Sequence, residues 1–217
     1  MRRILALDTT AQFGSIALAE DGRVIDEVLL HAPEGFSTTL FPHIEKLLER
    51  HQWPLDSIDC FAAASGPGSF TGVRIGLTAV KGLAEALGKP VAAVSNLLAL
   101  AACGTAPLRA AVIDARRGEV YGAVYDADLR ELSREIVAKF PAWLAQVPDG
   151  DIEFLSPDFA PFLPALAGTR FEGARVVERR ALAGAVARLA PQCATDPAAA
   201  DANYVRRSDA ELLWKDR

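Results

Sequence analysis

A chain of 217 residues with 51% hydrophobic and 24% charged residues is long enough for one large domain or for two compact halves with their own cores. No stretch approaches the roughly 20 apolar residues of a membrane span, and a net charge of -5 argues against broad binding to a phosphate backbone by this chain alone. Cys60, Cys103 and Cys193 are too few and too widely spaced for a disulfide framework or a zinc site.

The apolar run Ile4 to Leu7 stops at Asp8, short of a signal-peptide core, so a cytoplasmic chain is expected. Arg3 to Asp8, Gly14 to Glu20 and Arg23 to Leu30 are rich in Ile, Leu and Val, and Asp21-Gly22 gives the two-residue signal of a hairpin turn, so a β-meander is expected. Ser37 reads as an N-cap, followed by Leu40, Phe41, Ile44, Leu47 and Leu48 at helical spacing up to about His51. Ile58 to Ala64 is too short and too apolar for anything but a buried strand, and it ends in Ser-Gly-Pro-Gly. A helix from about Gly72 to Leu87 is closed by Gly88 and Pro90, a strand covers Pro90 to Val94, and Asn96 reads as the cap of a short apolar helix.

Gly104 to Pro107 breaks the pattern, and a second set of strands begins with Leu108 to Ala115 and Gly118 to Tyr125. Phe140 to Gln146, Ile152 to Ser156, Asp158 to Ala167 and Arg175 to Glu178 continue as short alternating elements. Arg180 to Ala190 is an alanine-rich helix stopped by Pro191, and Thr195 to Ala202 is a loop before Tyr204-Val-Arg-Arg and a polar tail. Both halves open with an apolar strand ending in Asp, a turn and another strand, which points to a duplicated fold: residues 1–105 as a first lobe and 106–217 as a second, divergent one, its C-terminal segment free to pack back on the first.

Two places could carry chemistry. Asp8-Thr9-Thr10 puts a carboxylate and two hydroxyls at a strand end, where they could meet a phosphate or a hydrated metal, or satisfy the amides of the turn itself. Ser65 to Gly76, S-G-P-G-S-F-T-G-V-R-I-G, lets the backbone bend at Gly66, Gly68 and Gly72 and leads into a helix N-terminus that suits an anion. It lacks the lysine of a P-loop, and Ser69 has no acid-base partner at a recognisable spacing. Asp8, Thr9, Thr10, Gly66 and Gly68 are the candidates for anion or nucleotide contact. Along the same helix Gly72, Gly76, Ala79 and Leu83 form a small-residue stripe beside a larger one, Val73, Leu77, Val80, Ala84 and Leu87. The larger stripe is expected to face the chain's own sheet, leaving the small one for another helix, in this chain or in a partner. Asp114-Ala-Arg-Arg-Gly is read as a solvated hairpin with Asp114 paired to an arginine, and His31, His43 and His51 form no metal motif.

The start I-L-A-L-D-T-T, the segment S-G-P-G-S-F-T-G-V-R-I-G, the turn D-A-R-R-G-E-V-Y and the late Y-V-R-R, in that order, closely resemble the TsaB (YeaZ-type) family. The resemblance implies an α/β fold of the actin-like, Hsp70-like (ASKHA) kind, with two duplicated lobes of mixed sheets flanked by helices. It also implies a part in making the threonylcarbamoyl modification of adenosine 37 in tRNAs that read codons starting with A. In that family the subunit is a non-catalytic relative of the catalytic TsaD. It pairs with itself or with TsaD through the first-lobe helices, while TsaE and tRNA are met only through the complex and no membrane is involved. TsaD-like proteins carry metal-binding histidines where this chain has Asn96 and Leu100, so neither a catalytic residue nor a metal ligand is assigned. Leu40, Ile44, Gly72, Arg74, Gly76, Ala79 and Leu83 are the expected partner interface, with ATP or ADP and magnesium there as the cofactors left open. The competing readings are an ATP- and magnesium-dependent ATPase or kinase using Asp8, and a metalloprotease of the glycoprotease type.

Overall fold

The computed structural model describes residues 2–205. Arg206 and Arg207 of the late motif, and the polar tail after them, lie outside the described residues. The chain opens with β1 (Arg3–Asp8), β2 (Phe13–Glu20) and β3 (Arg23–His31), an antiparallel meander. After α1 (Leu40–Arg50), β4 (Cys60–Ala64) lies parallel to β1, and α2 (Phe70–Leu87) leads to β5 (Val91–Val94), parallel to β4. The short α3 (Asn96–Ala101) ends this half.

The second half repeats the plan. β6 (Leu108–Arg116), β7 (Glu119–Asp126) and β8 (Glu131–Lys139) form a meander, followed by α4 (Phe140–Leu144). β9 (Ile152–Ser156) lies parallel to β6, and β10 (Arg175–Glu178) lies parallel to β9. Then come α5 (Ala183–Cys193) and the two-residue β11 (Ala194–Thr195), which joins the first sheet at β5. The sheet orders are β11-β5-β4-β1-β2-β3 and β10-β9-β6-β7-β8. Apart from β11 they are the same topology, the duplicated actin-like arrangement of two mixed sheets flanked by helices.

Period-2 alternation builds the first sheet. Leu5, Leu7, Ile16, Leu18 and Phe61 point to the side covered by α1 and α2, while Ile4, Ala6, Ala17, Ala19, Ala62 and Ala64 point to α5. The alanine face meets the equally small Ala183, Ala185, Ala187 and Ala190 of α5, so helix and sheet approach closely. The second sheet is covered on one side by an aromatic cluster, Phe140, Trp143, Phe154, Phe159, Phe162 and Phe171.

Two helices are exchanged between the halves. α3 lies in the first half of the sequence but packs on β6, β7 and β9, and α5 lies in the second half but packs on β1, β2 and β5. A cut at residue 105/106 therefore divides the sequence without dividing the packing.

Several expectations need correction. Ser37 does not cap α1: Thr39 stands at that position without a side-chain cap bond, and the first turn is held by backbone bonds to the Phe36 carbonyl. The α3 cap is Ser95, whose hydroxyl accepts from the Leu97 and Leu98 amides, which frees the Asn96 side chain to turn inward. Pro191 sits in the last turn of α5 instead of stopping it, and α4 is a short helix with proline in its first turn. β8 has no counterpart in the expected elements because its charged, weakly alternating sequence ELSREIVAK carries little strand signal.

Candidate functional site

Two concave regions flank the start of α2. The first is a cleft of about 720 Å³ between the sheets, lined among others by Asp8, Thr10, Gly68, Asn96, Arg116 and Arg180. At its floor the Asp8 Oδ1 accepts from the Thr10 amide at 3.0 Å and from the Thr10 hydroxyl at 2.6 Å. The Asn96 Nδ2 donates to the Thr10 Oγ1 at 2.6 Å, and the Asn96 Oδ1 accepts from the Gly66 amide at 2.8 Å. A buried chain Asp8, Thr10, Asn96, Gly66 thus ties the end of β1 to the glycine-rich turn through the first residue of α3. Burial pushes the Asp8 carboxyl above its ordinary range, against the pull of the Thr10 hydrogen bonds.

The glycines serve this junction. The Thr9 hydroxyl donates to the Gly72 carbonyl at 2.7 Å, and the Ser69 amide donates to the Thr10 carbonyl at 2.7 Å. A Cβ on Gly76 would stand 2.7 Å from the Thr9 Oγ1, and one on Gly72 would run into the Thr9 carbonyl. All five residues expected to contact an anion, Asp8, Thr9, Thr10, Gly66 and Gly68, are gathered at this one junction.

The actin-like fold implies a nucleotide with magnesium in such a cleft, and the groups present do not fit them. The Asp8 Oδ1 is already engaged by the Thr10 amide and hydroxyl, and burial raises the cost of keeping that carboxyl charged. At the matching hairpin of the second sheet the Asp114 Oδ1 takes the Arg116 amide at 2.8 Å. At the start of α5 the Leu182 and Ala183 amides donate to the Ser15 Oγ, and the Gly184 amide donates to the Glu27 Oε1 at 2.7 Å. At each of these three places at least one N–H group that an anion would seek is taken by the chain's own oxygens. Among the described residues there is also no group of three His, Cys, Asp or Glu side chains placed to hold a metal.

The second region is an apolar groove of about 580 Å³ between α1 and α2, lined by residues including Leu40, Phe41, Phe70, Arg74, Thr78, Gly82 and Leu83. Leu40, Arg74, Ala79 and Leu83 of the expected interface line it. Leu40, Ile44, Gly72, Gly76 and Ala79 are buried in the chain's own core, the glycines against Thr9 and the leucine and isoleucine under α1. Within the small-residue stripe Gly72 and Gly76 bring α2 close to Thr9 of its own chain, while Ala79 and Leu83 line the groove. Of the expected set Arg74 is exposed and Leu83 half-buried, and the apolar surface open to solvent comes instead from Phe41 at 52% and Phe70 at 41% exposure. Phe41 was legible as a helical position one step off the core stripe. Phe70 precedes the expected start of the helix.

Residues 31–161, more than half of the chain, match the family model described as "TsaD: tRNA N6-adenosine threonylcarbamoyltransferase". The chain is 40% identical over 124 residues to the tRNA threonylcarbamoyladenosine biosynthesis protein TsaB of Bacillus subtilis (strain 168), covering 56% of this chain and 54% of that one. Its structure superposes on YeaZ from Pseudomonas aeruginosa with a TM-score of 0.74 at 30% identity, over 94% of this chain and 100% of that chain. The chain belongs to the TsaD family and is of its TsaB (YeaZ) type. It spans about half the length of the curated TsaB relatives it matches. The activator of the 2-hydroxyisocaproyl-CoA dehydratase from Clostridium difficile, at 9% identity and a TM-score of 0.52, shares the fold alone. No described helix of this TsaB-type chain is long and apolar enough to cross a membrane.

Proposed function

We propose that this chain acts in tRNA threonylcarbamoyladenosine biosynthesis as a non-catalytic subunit that docks a TsaD-type catalytic subunit on the α1/α2 groove. The observation that carries the reading is the groove itself, an apolar furrow with Phe41 and Phe70 open to solvent. Exposed aromatic side chains in a furrow between two helices suit an apolar helix face from another subunit. The same groove serves self-association, so a second copy and the TsaD-type subunit compete for it. The chain works in the cytoplasm, and tRNA is met through the assembled complex.

Reconstitution of tRNA threonylcarbamoylation with a TsaD-type subunit, TsaE and a supply of threonylcarbamoyl-AMP tests the reading. Modification should require this chain, and the chain alone should give none. Gly82→Arg is the cleanest interface variant, because a Cβ there meets nothing within 4 Å and the change leaves the fold alone. It should abolish assembly and modification together; unchanged modification by Gly82→Arg and by Phe41→Asp would sink the proposal. An ATPase or kinase acting through Asp8 predicts saturable binding of ATP and magnesium to the isolated chain, lost in Asp8→Ala. Calorimetry is expected to show no such binding.

A further inference from the structure

Glu135 stands on β8, the edge strand of the second sheet, and its carboxylate meets donors from three separate elements. Oε1 accepts from the Ser95 hydroxyl and, at 3.1 Å, from the Tyr125 hydroxyl on β7. Oε2 accepts from the Asn203 Nδ2 at 2.6 Å. Burial, with the Glu135 charge next, pushes the Tyr125 phenol above its ordinary range, so that hydroxyl keeps its proton and donates it. Ser95 is the residue at which the chain leaves β5 of the first sheet for α3, which packs on the second. Asn203 belongs to the last described segment. Both lead to the glycine-rich turn. The Asn96 amide, next to Ser95, donates to the Gly66 carbonyl at 2.8 Å, and the Asn203 amide donates to the Ser65 carbonyl at 2.8 Å. A Cβ on Gly66 would stand 2.8 Å from the Asn203 carbonyl oxygen, so turn and segment lie in close contact.

We propose that Glu135 is a positioning residue that reaches from the second sheet to fix the turn of residues 65–69, and with it the start of α2 where Phe70 and Arg74 border the groove. The consequence for docking rests on the role proposed above; the hold on the turn does not. Glu135 is not among the described residues that line the groove, so it acts through Ser95 and Asn203. The position asks for a carboxylate, because two acceptor oxygens without a donor match three incoming hydrogens. Glutamine keeps part of this: its oxygen serves Asn203, and its NH2 turns to the Tyr125 hydroxyl, which accepts as well as donates. Alanine keeps none of it.

Amide hydrogen exchange on the full chain tests the hold on the turn. In Glu135→Ala the residue 66 and 203 amides should gain roughly tenfold more in rate than amides at the centre of β6, whose exchange reports the stability of the whole chain. Glu135→Gln should restore most of the protection. Unchanged rates at residues 66 and 203 overturn the proposal, and so does an equal rise in β6, which would make Glu135 a general stabiliser. Asn203→Ala cuts one of the two routes and should give a smaller local rise; it decides the matter if Glu135→Ala does not fold. Titration calorimetry with a TsaD-type subunit then tests the link to the groove, where Glu135→Ala should weaken binding roughly five- to tenfold and Glu135→Gln should recover it. Binding unchanged in Glu135→Ala but lost in Phe41→Asp overturns that link. If Phe41→Asp binds as tightly as the parent, the docking role itself fails, and the exchange rates still decide what Glu135 holds.

Discussion

At the end of β1 the Asp8 carboxylate takes the amide two residues on, and at the end of β6 Asp114 does the same. Around the first turn lie the start of α2 and the side chain of Asn96, so that carboxylate, hydroxyl and amide form one buried chain. The second borders the cleft, and the Lys139 Nζ donates to its Arg117 carbonyl at 2.6 Å. Arg116, Arg117 and Gly118 run through three successive left-handed residues, and Arg116 pairs with Asp114 at 3.5 Å while its side chain is 87% exposed. The difference traces to the element that succeeds the parallel strand of each lobe: β4 leads into the 18-residue α2, whereas β9 leads only to a 3-10 turn at Leu163–Leu166. The same turn chemistry becomes a structural joint where a helix covers it and a surface hairpin where none does.

Substitutions can break that contrast or sharpen it. The largest effect is expected from Gly72→Val, because the new side chain drives into the Thr9 backbone. On the order of 3 kcal/mol or more of stability should be lost, read from the urea midpoint. Among the described residues Gly118→Ala at the second hairpin meets only the Lys139 Nζ at 3.7 Å, so its penalty is the left-handed backbone, about 1 kcal/mol. Between these stands Asn96→Ala, which strands the buried Gly66 amide and removes a donor from Thr10; about 2 kcal/mol should be lost in the same assay.

The effect of pH distinguishes the carboxylates further. With its folded pKa raised above the ordinary 3.8, Asp8 holds a proton more tightly in the native state than in the unfolded chain. Stability should therefore fall as pH rises from 3.8 through the raised value, and Asp8→Asn should remove that slope and be at least as stable at neutral pH. Asp26 and Asp59 act oppositely. Hydrogen bonding from His51 and from the Arg3 amide, respectively, holds their carboxyls below the ordinary value, so their contribution is present above 3.8 and lost on acidification. A steeper acid loss in the parent than in the Asp8→Asn variant would contradict the assignment. The smallest effect belongs to Arg116→Ala, for which no shift of the midpoint is expected, as for most exposed ion pairs.

Where one physical signal dominated, the sequence was readable. β1 falls where the apolar run Arg3 to Asp8 puts it, the short alternating elements Ile152 to Ser156 and Arg175 to Glu178 share their bounds with β9 and β10, and the Gly88 cap of α2 adopts the left-handed turn that glycine favours there. The junction was legible as residues but not as a network. Asn96 had two competing uses, cap or buried linker, and only the tertiary neighbours Thr10 and Gly66 decide between them. The small stripe of α2 stayed open between this chain and a partner for the same reason, since glycine spacing marks a close approach without saying which backbone approaches. The Asn203 and Tyr204 contacts, 137 residues from Gly66 and 130 from Arg74, have no local signal at all.

The exchange of α3 and α5 bears on how the chain acquires its structure. The alanine face of the first sheet is only partly covered, by Ala99 and its neighbours, until residues 183–193 arrive, so the first half emerges from synthesis with much of one side of its sheet bare. Contacts of such sequence separation are late to form. Completion of the first lobe is therefore gated by the last helix of the described chain, and a break anywhere between β6 and α5 should leave neither half able to mature alone.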